Sequence, residues 1–121
     1  MAVILIIDDS PTELHLFQQM LTRNGFETLV ADSGEEGLRQ AKSSKPDCIL
    51  MDVVMPGMSG FQATRKLTKD PVTANIPVIM VTTKDQETDK IWGMRQGAVE
   101  YLVKPVTEKD LVAKINAVMA G

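Results

Sequence analysis

Reactive side chains follow four of the apolar segments in this sequence, each at the point where the segment ends. Asp8 and Asp9 come directly after "VILII", and Asp52 follows "DCILM". Thr82 follows "PVIMV", and Lys104 follows "EYLV". Brought together, carboxylates, a hydroxyl and an ammonium group could bind a cation and receive a phosphoryl group.

The three aspartates have an ordinary interpretation as well as a chemical one. An aspartate after a strand often serves only as a turn or N-cap residue, and a lysine near a strand end is usually solvated. Three carboxylates at one place, however, repel one another, and a single lysine cannot neutralise them all. Mg²⁺ relieves this conflict because it prefers oxygen ligands and keeps several waters. The acids therefore predict a Mg²⁺ site.

Asp52 is the candidate nucleophile of such a site. Mg²⁺ and Lys104 can screen an incoming phosphoryl group while a carboxylate attacks phosphorus. Asp52 stands alone after its apolar segment and is free to point into the cavity. The adjacent Asp8 and Asp9 are better interpreted as ligands of the cation.

Five apolar segments alternate with stretches of helical spacing, and these elements must position the reactive residues. The predicted strands are residues 3–7, 27–31, 47–51, 77–81 and 100–103, and the predicted helices begin at residue 11 and then cover 34–44, 60–69, 86–96 and 107–119. Ser10 with Glu13 three residues later predicts a capping box, and Gly25 predicts the end of the first helix. The other predicted N-caps are Ser33, Ser59 and Thr107.

Strand–helix alternation of this kind is typical of a parallel sheet with helices on both faces. The near-continuous apolar character of "VILII", "CILM" and "PVIMV" favours central strands, whereas the more mixed "ETLVA" and "EYLV" suit the edges. In such a sheet, ligands bind at the carboxyl ends of the strands. The reactive residues are therefore expected along one edge of the sheet.

The composition indicates one ordinary domain spanning residues 1–121, with 44% hydrophobic and 24% charged residues. The net charge is −3 and no basic run interleaved with aromatics occurs, which argues against nucleic-acid binding. A single cysteine, Cys48, excludes an internal disulfide. The N-terminal apolar run is too short for a signal peptide, and no stretch approaches the ~20 apolar residues of a membrane span. A cytoplasmic protein without membrane insertion is expected.

Four short motifs resemble, in order and spacing, those of the receiver domain of bacterial response regulators. They are "DD" (8–9), "MDVVMPGMSG" (51–60), "VTT" (81–83) and "KP" (104–105). The tract "IPVIMVTTKDQETDKIWGMRQGA" is most similar to the stand-alone, chemotaxis-type PilH regulators of type IV pilus twitching motility. The resemblance implies a flavodoxin-like α/β fold, a doubly wound five-stranded parallel sheet in the order 2-1-3-4-5 flanked by five helices.

The resemblance also implies a role for each reactive residue. Asp52 would accept phosphate from a phosphohistidine of a histidine kinase, and Lys104 would contact the aspartyl phosphate. Asp9 would ligate Mg²⁺ directly and Asp8 largely through water, together with Asp52 and the backbone carbonyl of Val54.

A switch is implied as well, with Thr82 turning its hydroxyl toward the phosphoryl oxygens and Tyr101 turning inward. The Lys104–Pro105 bond would be cis, a geometry specific to proline. The change would reach a downstream protein through the face made by the fourth helix, fifth strand and fifth helix. Output is expected to run through protein contacts, because the chain stops at Gly121, just after the last helix.

Two further positions predict slow loss of the phosphoryl group. Thr83 stands where receivers most often carry a smaller alanine or glycine, and its bulk restricts access. Val54 cannot orient an attacking water as an amide side chain could. The chain is expected to be no enzyme, beyond catalysing its own phosphorylation and dephosphorylation.

Three other functions compete with this interpretation. A small Mg²⁺-dependent phosphatase of the haloacid-dehalogenase type would carry a second acid two residues after its nucleophile, whereas Asp9 is followed by Ser10 and Pro11. A flavin or nucleotide carrier would need a phosphate-binding loop without two acids. A degenerate receiver would bind partners without phosphorylation, and against it all five key side chains are present.

Overall fold

Strands and helices alternate along the chain as the sequence predicts. The computed structural model describes residues 1–120. In chain order the elements are β1 (Val3–Ile7), α1 (Pro11–Arg23), β2 (Glu27–Ala31), α2 (Gly34–Ser44), β3 (Cys48–Met51), α3 (Gly60–Lys69), β4 (Val78–Thr82), α4 (Glu87–Arg95), β5 (Glu100–Val103) and α5 (Glu108–Ala120).

The strands form one parallel sheet in the order β2-β1-β3-β4-β5. Alternate residues of β1 serve opposite faces, since Ile4 and Ile6 pack into one core cluster while Leu5 and Ile7 pack into another. The first cluster lies under α1 and α5, and the second lies under α2 and α3. The predicted flavodoxin-like fold with helices on both faces is therefore confirmed.

Burial separates the central strands from the edge strands. All residues of β3 and β4 are buried, and so are four of the five residues of β1. Every residue of β5 is only partly buried, and in β2 only Ala31 is fully buried. The predicted assignment of "ETLVA" and "EYLV" to the sheet edges is thus confirmed.

Helix α4 differs from the other helices in how little it contributes to the core. Its one buried residue is Gly93, while Ile91, Trp92 and Met94 are each close to half exposed. A Cβ atom on Gly93 would lie 2.7 Å from Met80 Sδ and 3.1 Å from a ring carbon of Tyr101. The glycine therefore allows α4 to approach the sheet closely without burying apolar side chains of its own.

Several element boundaries differ from the predicted ones by one residue. Strand β4 begins at Val78 rather than residue 77, because Pro77 has no N–H to donate to the sheet. It ends at Thr82, which pairs with Val103. Thr82, which was predicted to follow the strand, is thus the last residue of β4. Helix α4 stops before Gly97, whose φ of +111° is a left-handed conformation that favours glycine.

The predicted N-caps are correct, but the first capping box is incomplete. Ser10, Ser33 and Ser59 each accept a hydrogen bond from the backbone N–H three residues later. The Ser10 N–H donates to Asp8 Oδ1 (2.9 Å) instead of to Glu13. The prediction that Glu13 closes a capping box is therefore wrong, because a neighbouring carboxylate has taken its donor.

Two predicted features at the ends of elements are also present. Gly25, with φ of +86°, follows the C-cap of α1. Thr107 Oγ1 accepts from the Asp110 N–H (3.1 Å) at the start of α5. None of the helices within residues 1–120 combines the length and apolar character that a membrane crossing requires.

Candidate functional site

The sheet brings the predicted site residues to its carboxyl edge. Ile7 pairs with Met51, and the Asp52 N–H donates to the Ile7 carbonyl (2.9 Å), so Asp8 and Asp52 emerge side by side. On the other side, the Lys104 N–H donates to the Thr82 carbonyl (2.8 Å). Residues as far apart in sequence as 8 and 104 therefore meet, because β1, β3, β4 and β5 lie in this order in the sheet and end at the same edge.

Asp8, Asp9 and Asp52, here named the acidic edge, offer carboxylate oxygens that all lie within 4.8 Å of one another. Asp8 is only 2% exposed, whereas Asp9 is exposed. The Val53 N–H donates to Asp52 Oδ1 (2.8 Å), which fixes that carboxylate. Such a set of hard oxygen donors, one of them open to water, fits Mg²⁺, which takes few carboxylates and keeps waters.

Lys104 lies at the centre of the carboxylates. Its Nζ is 2.8 Å from Asp8 Oδ2, 3.2 Å from Glu13 Oε1 and 3.8 Å from Asp52 Oδ2. The side chain is 10% exposed and its ammonium lies 5.7 Å from the ring centroid of Phe17. Three carboxylates therefore lie within 3.8 Å of one ammonium group.

This excess of negative charge affects the pKa values of Asp52 and Lys104. Burial, and then the charge of Asp8, raise the pKa of Asp52 above its ordinary value, although Lys104, the Thr82 hydroxyl and the Val53 N–H act in the opposite direction. Burial lowers the pKa of Lys104, but its hydrogen bond to Asp8, the charges of Asp52 and Asp8, and its hydrogen bond to Glu13 raise it overall. The lysine is held charged, and the site still favours additional positive charge.

The two predicted switch residues meet at one backbone position, Lys84. Thr82 is fully buried, and its Oγ1 accepts from the Lys84 N–H (3.4 Å). Tyr101 donates its hydroxyl to the Lys84 carbonyl (2.8 Å) and packs against a small cluster of Val53, Met80 and Ala98. Burial, followed by nearby aspartates, raises the pKa of Tyr101 to about 12, so the hydroxyl stays a donor.

The loop after Asp52 folds back closely on that residue. The Gly60 N–H donates to the Val53 carbonyl (2.9 Å), and a Cβ atom on Gly60 would lie 2.0 Å from the Asp52 carbonyl oxygen. Only glycine permits this approach of α3 to the candidate nucleophile. Val54, two residues after Asp52 in the same loop, is 58% exposed.

No binding role is assigned to the other residues that the sequence singled out. Cys48 is fully buried, and burial raises the pKa of its thiol to about 12, which makes it inert. His15 is exposed on α1. The Lys104–Pro105 bond is cis, as the resemblance implied, and Thr83 is exposed. A groove of about 1030 Å³ between α2 and α3 is lined by Met58 but by none of the acidic edge.

Glu13 and Phe17 contact Lys104, and sequence reasoning missed both contacts. A helix that follows a strand begins at the carboxyl edge, so its first turn lies beside any ligand bound there. Glu13 is in that first turn. This placement is the signal that could have identified it, but the capping-box pattern offered a competing interpretation.

Comparison with known proteins finds relatives that cover the whole chain. Residues 4–116 match the response regulator receiver domain. The chain is 60% identical over 121 residues to the protein PilH of Pseudomonas aeruginosa, which is 100% of both chains. It is 40% identical over 116 residues to the response regulator PleD of Caulobacter vibrioides, a match covering 96% of this chain and 26% of PleD.

Solved structures are similar to this one along almost their full length. Chemotaxis protein CheY4 of Vibrio cholerae superposes with a TM-score of 0.92 at 31% identity, covering 98% of each chain. The receiver domain of the sensor histidine kinase PA1611 from P. aeruginosa has a TM-score of 0.92 at 25% identity, covering 99% of this chain and 98% of its own. That structure holds a magnesium ion in its active site cleft. The chain described here belongs to the response regulator receiver domain family.

Proposed function

We propose that this chain is a stand-alone response regulator that accepts a phosphoryl group on Asp52 from a histidine kinase. Receiver domains in general take phosphate from histidine kinases and bind Mg²⁺ at their acidic pocket. The observation that carries the proposal is the convergence of Asp52, Lys104 and two further aspartates at one edge of the sheet. As a phosphoacceptor, the chain would act on itself and not turn over a separate substrate.

In the proposed transfer, an Asp52 carboxylate oxygen forms a bond to phosphorus while the bond from phosphorus to the kinase histidine nitrogen breaks. The leaving imidazole nitrogen keeps the electron pair of the broken bond and takes a proton from water, so the kinase histidine is left as a neutral imidazole. Lys104, 3.8 Å from Asp52 Oδ2, is near enough to pair with the new phosphoryl oxygens. Mg²⁺ would screen the negative charge of both partners, and Asp8, Asp9, Asp52 and the carbonyl of Val54 would hold it.

The output would run through the residues that meet at Lys84. A hydroxyl at Thr82 that turns to the phosphoryl oxygens gives up its contact with the Lys84 N–H. Tyr101 holds the carbonyl of the same residue, so the loop that leads into α4 responds to both side chains. Half-exposed apolar residues on α4, Ile91 and Trp92 among them, offer a downstream protein a contact surface.

Control of type IV pilus twitching motility is proposed from the identity to PilH of P. aeruginosa, which is 60% over the full length of both chains. Deletion of the gene should alter the twitching zone of the source bacterium, and wild type but not Asp52→Asn should restore it. Unchanged twitching after deletion would remove this part of the proposal while leaving phosphorylation in place.

A degenerate receiver that binds partners without phosphorylation is the second candidate function, and one experiment separates the two. The protein is treated with acetyl phosphate, with and without Mg²⁺, and its intact mass is measured. A Mg²⁺-dependent gain of one phosphoryl group that Asp52→Asn abolishes supports the proposal. Asp32→Asn is the matched control, because Asp32 directly follows β2 as Asp52 follows β3. Absence of any gain in the wild type favours the degenerate receiver.

The phosphoryl group on Asp52 is proposed to be long-lived. Val54 extends an apolar side chain to solvent beside the site, and Thr83 is exposed at its rim. Val54 cannot orient an attacking water, and the bulk of Thr83 restricts the access of water to phosphorus. The lifetime is measured in the isolated protein from the decay of the intact-mass gain. A lifetime of seconds would contradict this proposal.

A further inference from the structure

Glu13 occupies an unusual place for an acid at the third position of a capped helix. Ser10 accepts from the Glu13 N–H, as in a capping box, but the Ser10 N–H donates to Asp8. The Glu13 carboxylate lies 3.2 Å from Lys104 Nζ instead, with 30% of the side chain exposed. Asp8 thus accepts the hydrogen bond that Glu13 would accept in a capping box, and the Glu13 carboxylate faces the site.

We propose that Glu13 is a positioning residue for Lys104. Its carboxylate, with that of Asp8, holds the ammonium on the α1 side of the site until a phosphoryl group arrives at Asp52. Lys104 must then give up this contact to pair with the phosphoryl oxygens. The inference rests on the proposed function, because it requires Asp52 to be the phosphoacceptor.

The distances support a competition of this kind. Lys104 Nζ lies nearer to Asp8 (2.8 Å) and Glu13 (3.2 Å) than to Asp52 (3.8 Å). Asp8 is buried and cannot withdraw, whereas Glu13 is on the first turn of α1 and has access to water. Glu13 is therefore the partner that the lysine can leave at the smaller desolvation penalty.

Glu13 also adds negative charge where an anionic phosphodonor must enter. Neutralising it should lower the repulsion of the donor and free the ammonium at the same time. A partly exposed ion pair is worth at most about a fivefold change in an equilibrium or rate. Glu13→Gln should thus be phosphorylated by acetyl phosphate up to about fivefold faster than wild type, with the largest difference at low salt.

Glu36 provides a matched control. It is the third residue of α2, its N–H donates to the Ser33 cap, and it lies in the first turn of a helix that begins at the same edge. Its carboxylate pairs with Arg39 and Gln40 rather than with Lys104. Glu36→Gln makes the same change in net charge and helix position, and its phosphorylation rate should stay within about twofold of wild type.

Glu13→Asp separates contact from charge. Aspartate keeps the negative charge, but its side chain is one methylene shorter and draws back from the ammonium. If Glu13 acts by holding Lys104, Glu13→Asp should be phosphorylated faster than wild type, as Glu13→Gln is. Wild-type rates in Glu13→Asp, or equal acceleration in Glu13→Gln and Glu36→Gln, would overturn the positioning role.

A double-mutant cycle in urea unfolding tests the contact without any phosphodonor. Glu13→Gln, Lys104→Met and the double variant should show a coupling of at least about twofold in the unfolding equilibrium constant. Additive effects overturn the inference even if the wild type is phosphorylated normally. A wild type that takes up no phosphoryl group refutes the proposed function instead, and it also removes the competition proposed for Lys104.

Discussion

Gly60→Ala tests how tightly α3 is set against the candidate nucleophile. The added Cβ atom would lie 2.0 Å from the Asp52 carbonyl oxygen and 2.8 Å from both the Asp52 carbonyl carbon and Val53 Cα. Real Cβ atoms essentially never approach a heavy atom within 3.0 Å. All three contacted atoms are backbone, so either the start of α3 or the end of β3 must move by about 1 Å or more.

Overpacking of this kind typically destabilises by 1–3 kcal/mol, and we expect about 3 kcal/mol here because no side chain can move aside. That is a large fraction of a total stability of roughly 5–15 kcal/mol. The free energy of unfolding is to be measured by urea denaturation followed by far-UV circular dichroism. An unchanged slope with denaturant would show that the stability has changed without a change in the surface exposed on unfolding.

Gly34→Ala is the control, because Gly34 is also the buried first residue of a helix after a serine cap. The three atoms nearest to its added Cβ all belong to the side chain of Met58, at 3.1 Å or more. Alanine gains up to about 1 kcal/mol in helix propensity, so this variant should stay within about 1 kcal/mol of wild type. Equal unfolding free energies for Gly60→Ala and Gly34→Ala would refute the reasoning.

Three further outcomes are expected. Mg²⁺ at a hundredfold excess over its Kd should stabilise the fold by about 2.7 kcal/mol in urea, and Asp9→Asn should lose most of this gain. Burial raises the pKa of Cys48 from 9.0 to about 12. Its contribution to the free energy of unfolding is therefore fully present below pH 9, and it is lost as the pH rises toward 12, because the unfolded state releases the thiol proton first. By pH 10 the wild type should thus lose about 1.4 kcal/mol more than Cys48→Ala. Gly93→Ala should destabilise by about 1 kcal/mol, because its Cβ would press on Met80 and Tyr101.

Each of these has a result that contradicts it. Equal stabilisation of wild type and Asp9→Asn by Mg²⁺ would remove Asp9 from the site. Parallel pH curves for wild type and Cys48→Ala would mean that the thiol ionises in the folded state. A Gly93→Ala variant as stable as wild type would mean that α4 can shift away from the sheet without loss.

The sequence predicts the succession of strands and helices along the chain and the residues of the acidic edge, because both depend on local signals, whereas the order of the strands in the sheet came from the family resemblance. Alternation of apolar runs with helical spacing defines the fold class, and a residue at the end of a strand is visible in the chain. Asp8 and Asp52 are found in this way. The same signals place Lys104 at the end of β5, on the same edge of the sheet.

Contacts that depend on competition between partners were not predictable in the same way. Whether Glu13 bonds to the Ser10 N–H or to Lys104 is decided by Asp8, which takes the Ser10 donor. The need for glycine at position 60 comes from the separation of α3 and β3, which no local pattern reports. Such features can be identified only when the packed geometry is known.

The small buried surface of α4 has a consequence for the free energy needed to move this helix. A helix that buries only a glycine has few contacts to lose when it separates from the sheet, so its amide hydrogens should exchange with solvent at a low opening free energy. The other helices, anchored by side chains such as Leu21, Leu67 and Leu111, should open only with larger parts of the molecule. Under the proposed function, a phosphoryl group on Asp52 would then need to supply only a few kcal/mol to redistribute α4 between positions, while the rest of the fold keeps its place.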